Sequence, residues 1–199
     1  MKAGNSNHPK LGSSIKVEPI RRPASIHAIK QSLRDNPRDF CLFTFGINTA
    51  YRANEILSIS VGQVRHLKVG DRLDIKQSKS GKYRAITMNR TVIQALKAWL
   101  EVHPDPSANA PLFISQRSKK ALTVSALSRM VKTWCKDAGL EGNYGSHSMR
   151  KTWGYHQRVH NKQVTPLLMI AFGHTSERQT LDYLCVQDDE VEALFELEI

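Results

Sequence analysis

Apolar residues recur at helical spacing along most of this chain, and the pattern changes period in one place only. Arg72 to Gln77 alternates polar and apolar, a polar Ser78-Lys79-Ser80-Gly81 follows, and Tyr83 to Met88 alternates again. Period two on both sides of a polar, glycine-containing stretch predicts a β-hairpin with Lys79 in its turn. Everything around it reads at period 3.6. Ile26, Ile29 and Leu33 predict a helix with Ser25 as N-cap after Pro23. Phe40, Leu42, Phe43, Phe45 and Ile47 predict a densely buried helix after Pro37, and a short one follows over Arg52 to Leu57. Val92, Ala95, Leu96, Trp99 and Leu100 predict the next, and Val124, Leu127, Val131 and Trp134 another, closed by Gly139. Further helices are expected to open at Ser148 and at Thr165-Pro166, and a last amphipathic one covers 188–199 through Val191, Leu194, Phe195 and Leu197. The expected fold class is α+β, mainly α-helical, with a small antiparallel hairpin.

Charge narrows the partner. The chain carries +11 at neutral pH with a pI near 9.8. From Leu181 onward there are seven acidic and no basic side chains, so the first 180 residues hold twenty-nine basic against eleven acidic groups, a net +18. A basic body of that size attracts a polyanion, and double-stranded DNA is the expected one. Cys41, Cys135 and Cys185 are odd in number and lack C-x-x-C spacing, which argues against a disulfide framework or zinc site and reads as three small buried hydrophobes in a reducing cytosol. The longest apolar run, Pro166 to Phe172, is too short to span a bilayer, so a cytoplasmic protein is expected. His156 and His160 stand four apart without the glutamate of H-E-x-x-H and read as exposed, and no metal or cofactor is expected. Residues 1–22 read as a disordered polar tail and 23–199 as the folded domain.

Four short segments carry chemistry-bearing side chains. Tyr51-Arg52-Ala-Asn-Glu55-Ile-Leu57 sets an arginine and a glutamate three apart, which by itself is an ordinary i,i+3 ion pair. Lys79 alone is a solvated turn lysine. Gly145-Ser-His147-Ser-Met-Arg150-Lys-Thr opens a helix, where free N–H groups and the dipole favour an anion beside a histidine and a guanidinium. Leu167 to Phe172 leads into Gly173-His174, and Tyr183 follows nine residues on, where a tyrosine is by default a packing residue.

Taken together and in this order, the segments resemble the tyrosine recombinases of the phage-integrase family. Arg52 to Ile59 is similar to the family's arginine box, Gln77-Ser-Lys79-Ser-Gly81-Lys82 to its lysine hairpin, and His147-Ser-Met-Arg150 with Phe172-Gly-His174 and Tyr183 to its second box. The resemblance covers residues 25 to 185 and implies a catalytic set of Arg52, Lys79, His147, Arg150, His174 and Tyr183, with Glu55 orienting the site. One departure is Ala50, where the family often carries glycine.

The implied reaction is metal- and ATP-independent. Arg52 and Arg150 would hold the non-bridging phosphate oxygens. Tyr183 would attack to form a 3′-phosphotyrosyl link, with His147 as general base, His174 bonding the phosphate, and Lys79 protonating the leaving 5′ oxygen. The resemblance also implies a homotetramer on DNA, a monomer when free, and either an excised catalytic domain or a single-domain form like the fimbrial phase-variation invertases; the single-domain form is expected, since Met1 opens the chain. Two other readings share these residues: DNA relaxation by a type IB topoisomerase, and a catalytically silent DNA-binding regulator.

Overall fold

The structure is a computed structural model that describes residues 17–76, 81, 83–186 and 195. Lys79, residues 1–16 of the expected tail, and the expected C-terminal helix except Phe195 lie outside the described residues. The described chain is mainly helical with one two-stranded antiparallel sheet, in the order α1 (Pro23–Ser32), α2 (Pro37–Asn48), α3 (Ala53–Leu57), α4 (Val61–Val64), β1 (Arg72–Lys76), β2 (Tyr83–Thr87), α5 (Arg90–Glu101), α6 (Val124–Asp137), α7 (Ser146–Val159), α8 (Thr165–Phe172) and α9 (Glu177–Leu184).

Helix starts follow local capping. Asn36, Asn89, Thr123 and Ser176 each accept a hydrogen bond from the backbone N–H three residues on, which satisfies a donor that the helix cannot. Two expected caps shift by one or more residues. Helix α1 begins at Pro23 with Arg22 as its cap, not Ser25, because proline's fixed φ suits the first helical position; α8 takes Val164 as its cap and Thr165 as its first residue.

Helix α2 runs through the centre, burying Cys41, Leu42, Phe43, Thr44, Phe45 and Gly46, and packs against α5 and α7. Phe45 meets Phe113 edge-on and stacks on Tyr51, and Phe43 meets Trp134 edge-on. This core includes Cys41 and Cys135, as expected for small buried hydrophobes. A second, smaller cluster gathers Ala50, Leu168, Phe172 and Leu184, with Trp153 and Tyr183 against it. Gly154 is what lets α7 lie against α8 and α9, since a β-carbon there would collide with the Phe172 ring and the Leu184 side chain.

Residues Val17 to Arg22, expected to close a disordered tail, instead pack along α7. Ile20 is fully buried, its N–H donates to the Thr152 hydroxyl at 2.8 Å, and its carbonyl lies 3.0 Å from His156 Nε2. That contact also corrects the reading of His156 as exposed: it is half-buried and stacks on His160 at 4.9 Å, while His160 is exposed. The Glu18 N–H also donates to the Asn143 carbonyl at 2.8 Å, and Pro19 is buried beside Ile20; none of these contacts produces a periodic pattern.

Candidate active site

The hairpin comes first because it sets the wall of the site. In its register Leu73 pairs with Ile86 and Ile75 with Arg84, so these four side chains share the inward face. Arg84 is therefore buried while its neighbour Tyr83 is 69% exposed. The Tyr51 hydroxyl lies 2.5 Å from the Leu73 carbonyl and 3.0 Å from that of Arg84, which ties the hairpin to the residue before Arg52.

Arg52 is the N-cap of α3. Its backbone N–H donates to Glu55 Oε2 at 2.6 Å, and its side chain donates to Glu55 Oε1 at 3.2 Å. This is not the surface pair that the spacing alone suggests, because the Glu55 side chain is only 2% exposed. The same carboxylate lies 3.6 Å from Arg84 Nη1 and 4.0 Å from Arg150 Nη1, so one buried negative charge faces three guanidiniums. Burying a lone carboxylate is costly, and the three nearby cations offset that cost.

His147 and Arg150 stand in the first turn of α7, where the Gly145 N–H donates to the Ser148 hydroxyl at 3.1 Å. Gly145 is the N-cap, and Ser146 and Ser148 both lie inside the helix. Arg150 is almost completely buried. Its Nη2 donates to the Phe172 carbonyl at 2.6 Å, and its Nη1 has no hydrogen-bond partner. Burial first, and then the neighbouring Arg84 and Arg52, lower its pKa to about 10. His147 opens to solvent, but partial desolvation by the surrounding protein, followed by Arg150, Lys151 and Arg52, lowers its pKa below the ordinary histidine value.

Helix α8 ends at Gly173, whose φ of 63° is a left-handed turn that glycine adopts without strain. The turn delivers His174 beside Tyr183, with ring centroids 5.2 Å apart, and the Phe172 ring lies within 5.1 Å of both. The Thr180 hydroxyl lies 3.0 Å from His174 Nδ1 and 3.3 Å from the Ser176 carbonyl. Burial, then Arg150, Arg52 and Arg84, push the His174 imidazole down to about 4.

Tyr183 sits near the end of α9 with its hydroxyl oxygen buried and without a hydrogen-bond partner. Arg150 lies over its ring at 5.8 Å and Lys151 at 5.0 Å. Burial raises its hydroxyl to about 12, against the pull of Arg150 and Arg52. Lys151 is itself buried, and its Nζ donates to Cys185 Sγ at 3.1 Å. Cys185 thus differs from the other two cysteines, being half-buried and bonded to a cation.

The fold therefore brings together Arg52, Glu55, His147, Arg150, His174 and Tyr183, from four segments of the chain. Arg84 and Lys151 join them without having been singled out in the sequence. Lys151 was visible as the residue after Arg150; Arg84 needed the hairpin register. Among the described residues no group of three or more His, Cys, Asp or Glu side chains is arranged to hold a metal ion.

Comparison with known proteins converges on this arrangement. Residues 23–190 match the model of the phage integrase family. The chain belongs to that family. Its relatives include the probable integrase/recombinase YoeC of Bacillus subtilis (strain 168), 33% identical over 183 residues that cover 91% of this chain and 96% of that protein. The tyrosine recombinase XerC of Caldanaerobacter subterraneus subsp. tengcongensis is 27% identical over 157 residues, 77% of this chain and 43% of that one. Among solved structures, the XerH site-specific recombinase bound to palindromic difH substrate in a post-cleavage complex superposes with a TM-score of 0.69 at 22% identity, over 96% of this chain and 55% of that one. The chain is thus a tyrosine recombinase with that family's catalytic-domain fold; it spans nearly all of the Bacillus relative and about half of the other two.

Proposed function

We propose that this chain cuts and rejoins double-stranded DNA in the cytoplasm through a covalent link to Tyr183, with Arg52 and Arg150 as ligands of the scissile phosphate. The observation that carries the reading is a pair of buried polar atoms without hydrogen bonds, the Tyr183 hydroxyl and Arg150 Nη1, in one cationic site. Buried polar atoms are nearly always hydrogen-bonded, and each exception calls for a reason, of which a ligand or a reaction at the site is one. A phosphodiester would supply an acceptor for Arg150 and an electrophile for Tyr183.

In this reading the phosphate oxygens bind Arg52 and Arg150 at the start of α7, where the helix dipole adds to the positive field. Tyr183 attacks phosphorus, its proton passes to His147, and the 5′ oxygen leaves with a proton from Lys79. The phenol is a poor nucleophile while its pKa is about 12. The incoming phosphate balances the arginines and lets His147 accept the proton as the phosphorus–oxygen bond forms. His174 bonds the phosphate through Nε2–H in the tautomer in which the Thr180 hydroxyl turns from the Ser176 carbonyl to donate to Nδ1. Attack of the freed 5′ hydroxyl on the phosphotyrosine reverses the steps, so the bond energy is conserved and no nucleotide or metal is consumed. Four copies act on two DNA sites, and the free chain is monomeric.

The test is covalent capture. Duplexes with randomised sequence around a nick are incubated with the protein in EDTA, and SDS-stable adducts are recovered and sequenced. Adducts are expected with the native chain and none with Tyr183→Phe, while DNA affinity is retained. An adduct persisting in Tyr183→Phe would overturn the nucleophile, and adduct formation that requires added magnesium would overturn the metal-free route.

A further inference from the structure

We propose that Arg84 is a positioning residue, holding the phosphate-binding Arg150 and the Gly173–His174 turn against the arginine box. The proposal rests on the reading of Arg150 as a phosphate ligand. Arg84 lies on the inward face of β2, 8% exposed, and a guanidinium buried that far must spend its donors on fixed acceptors. It does so on two segments at once. Nη1 donates to the Ala50 carbonyl at 3.1 Å, two residues before Arg52, and Nη2 donates to the Phe172 carbonyl at 2.9 Å, two residues before His174. Nη1 also lies 3.6 Å from Glu55 Oε2, the carboxylate that holds Arg52.

The Phe172 carbonyl is the decisive contact. It is the last residue of α8 and accepts from Arg150 Nη2 at 2.6 Å as well as from Arg84. A carbonyl oxygen has two lone pairs and can accept both. Arg84 thereby fixes the oxygen that orients Arg150, and Arg150 Nη1 is left without a hydrogen bond. The planar guanidinium is suited to this task because its two terminal nitrogens reach two acceptors in a fixed geometry, whereas a lysine ammonium is a point donor on a flexible stem. The hairpin, the arginine box and the end of α8 are then held in one register by a single side chain.

The experiment uses the full chain and a nicked duplex recovered by covalent capture. For Arg84→Met, single-turnover cleavage at saturating protein is expected to fall on the order of 100-fold, the scale of a misplaced catalytic group, with DNA affinity unchanged. Arg84→Lys should regain part of the rate. A second duplex carries a methylphosphonate at the scissile position, which removes the negative charge that the arginines balance. If Arg84 acts through Arg150, both Arg84→Met and Arg150→Ala lose less, relative to the native chain, on that duplex. The Arg84→Met/Arg150→Ala double variant should cleave no more slowly than Arg150→Ala alone. Should Arg84→Met fail to fold, Arg84→Lys carries the same comparison. Equal losses on the two duplexes, or losses that multiply in the double variant, would overturn the assignment. Native-rate cleavage by Arg84→Met beside a defective Arg150→Ala overturns this proposal alone, whereas native-rate cleavage by Arg150→Ala overturns the reading of the site together with it.

Discussion

In the large core around α2, aromatic and aliphatic side chains such as Phe43, Phe45, Phe113 and Trp134 pack against one another. The small cluster of Ala50, Leu168, Phe172 and Leu184 is of the same apolar kind but is walled by Glu55, Arg84, Arg150 and Lys151, all buried. Apolar packing stabilises the first by removing surface from water. In the second it serves to strip water from charges, which strengthens their interaction with one another and with any incoming phosphate. The two regions should therefore fail in different ways when damaged.

The sharpest separation comes from one substitution in each. Glu55→Ala leaves three guanidiniums facing one another without their shared carboxylate, and breaking a buried pair in this way costs roughly 3–5 kcal/mol. Phe113→Ala opens the large core at a comparable cost of about 3–5 kcal/mol. Both should show similarly lowered Tm values. Below those temperatures, Phe113→Ala should form covalent adduct at the native rate and Glu55→Ala should not. Equal adduct rates in the two folded variants would remove the distinction between the regions.

A smaller effect is expected in acid. The His174 pKa is held at about 4, below the ordinary histidine value. A depressed histidine favours the folded state while the unfolded chain is also neutral, and that contribution is lost as pH falls from the ordinary value through about 4. His174→Gln should therefore lose less Tm than the native chain between neutral pH and the lower end of that window. Parallel losses would mean that His174 titrates normally. The smallest effect on cleavage belongs to the C-terminal segment. Val164 at the cap of α8, Leu167 and Ile170 on it, and Phe195 expose apolar side chains, and the proposed assembly of copies on DNA would use the C-terminal segment. Truncation after Gln187 should weaken strand exchange far more than single-turnover cleavage, and equal weakening of both would remove the assembly role.

The large core was legible in the sequence because its residues repeat at helical spacing on long segments. The site was legible for a different reason: its residues fall in short contiguous motifs whose order matched a known family. Arg84 belongs to neither kind. Period two puts Arg84 on the face of Ile86 and opposite Tyr83 and Ala85, and only the pairing with Leu73 and Ile75 shows which of these faces is inward. The strap at Val17 to Arg22 escaped for a related reason, since its anchors are backbone hydrogen bonds that leave no trace in side-chain pattern.

Glu55 is the common counterion of three guanidiniums. A single carboxylate cannot neutralise Arg52, Arg84 and Arg150 with Lys151 nearby, so the site is a local excess of positive charge held in place by the rest of the molecule. In the proposed reading the substrate phosphate supplies further negative charge, so binding should stiffen the ends of α7, α8 and α9 together. Recognition and assembly of the reactive geometry would then be the same electrostatic event, and a duplex bound elsewhere on the basic surface would leave that excess charge uncompensated.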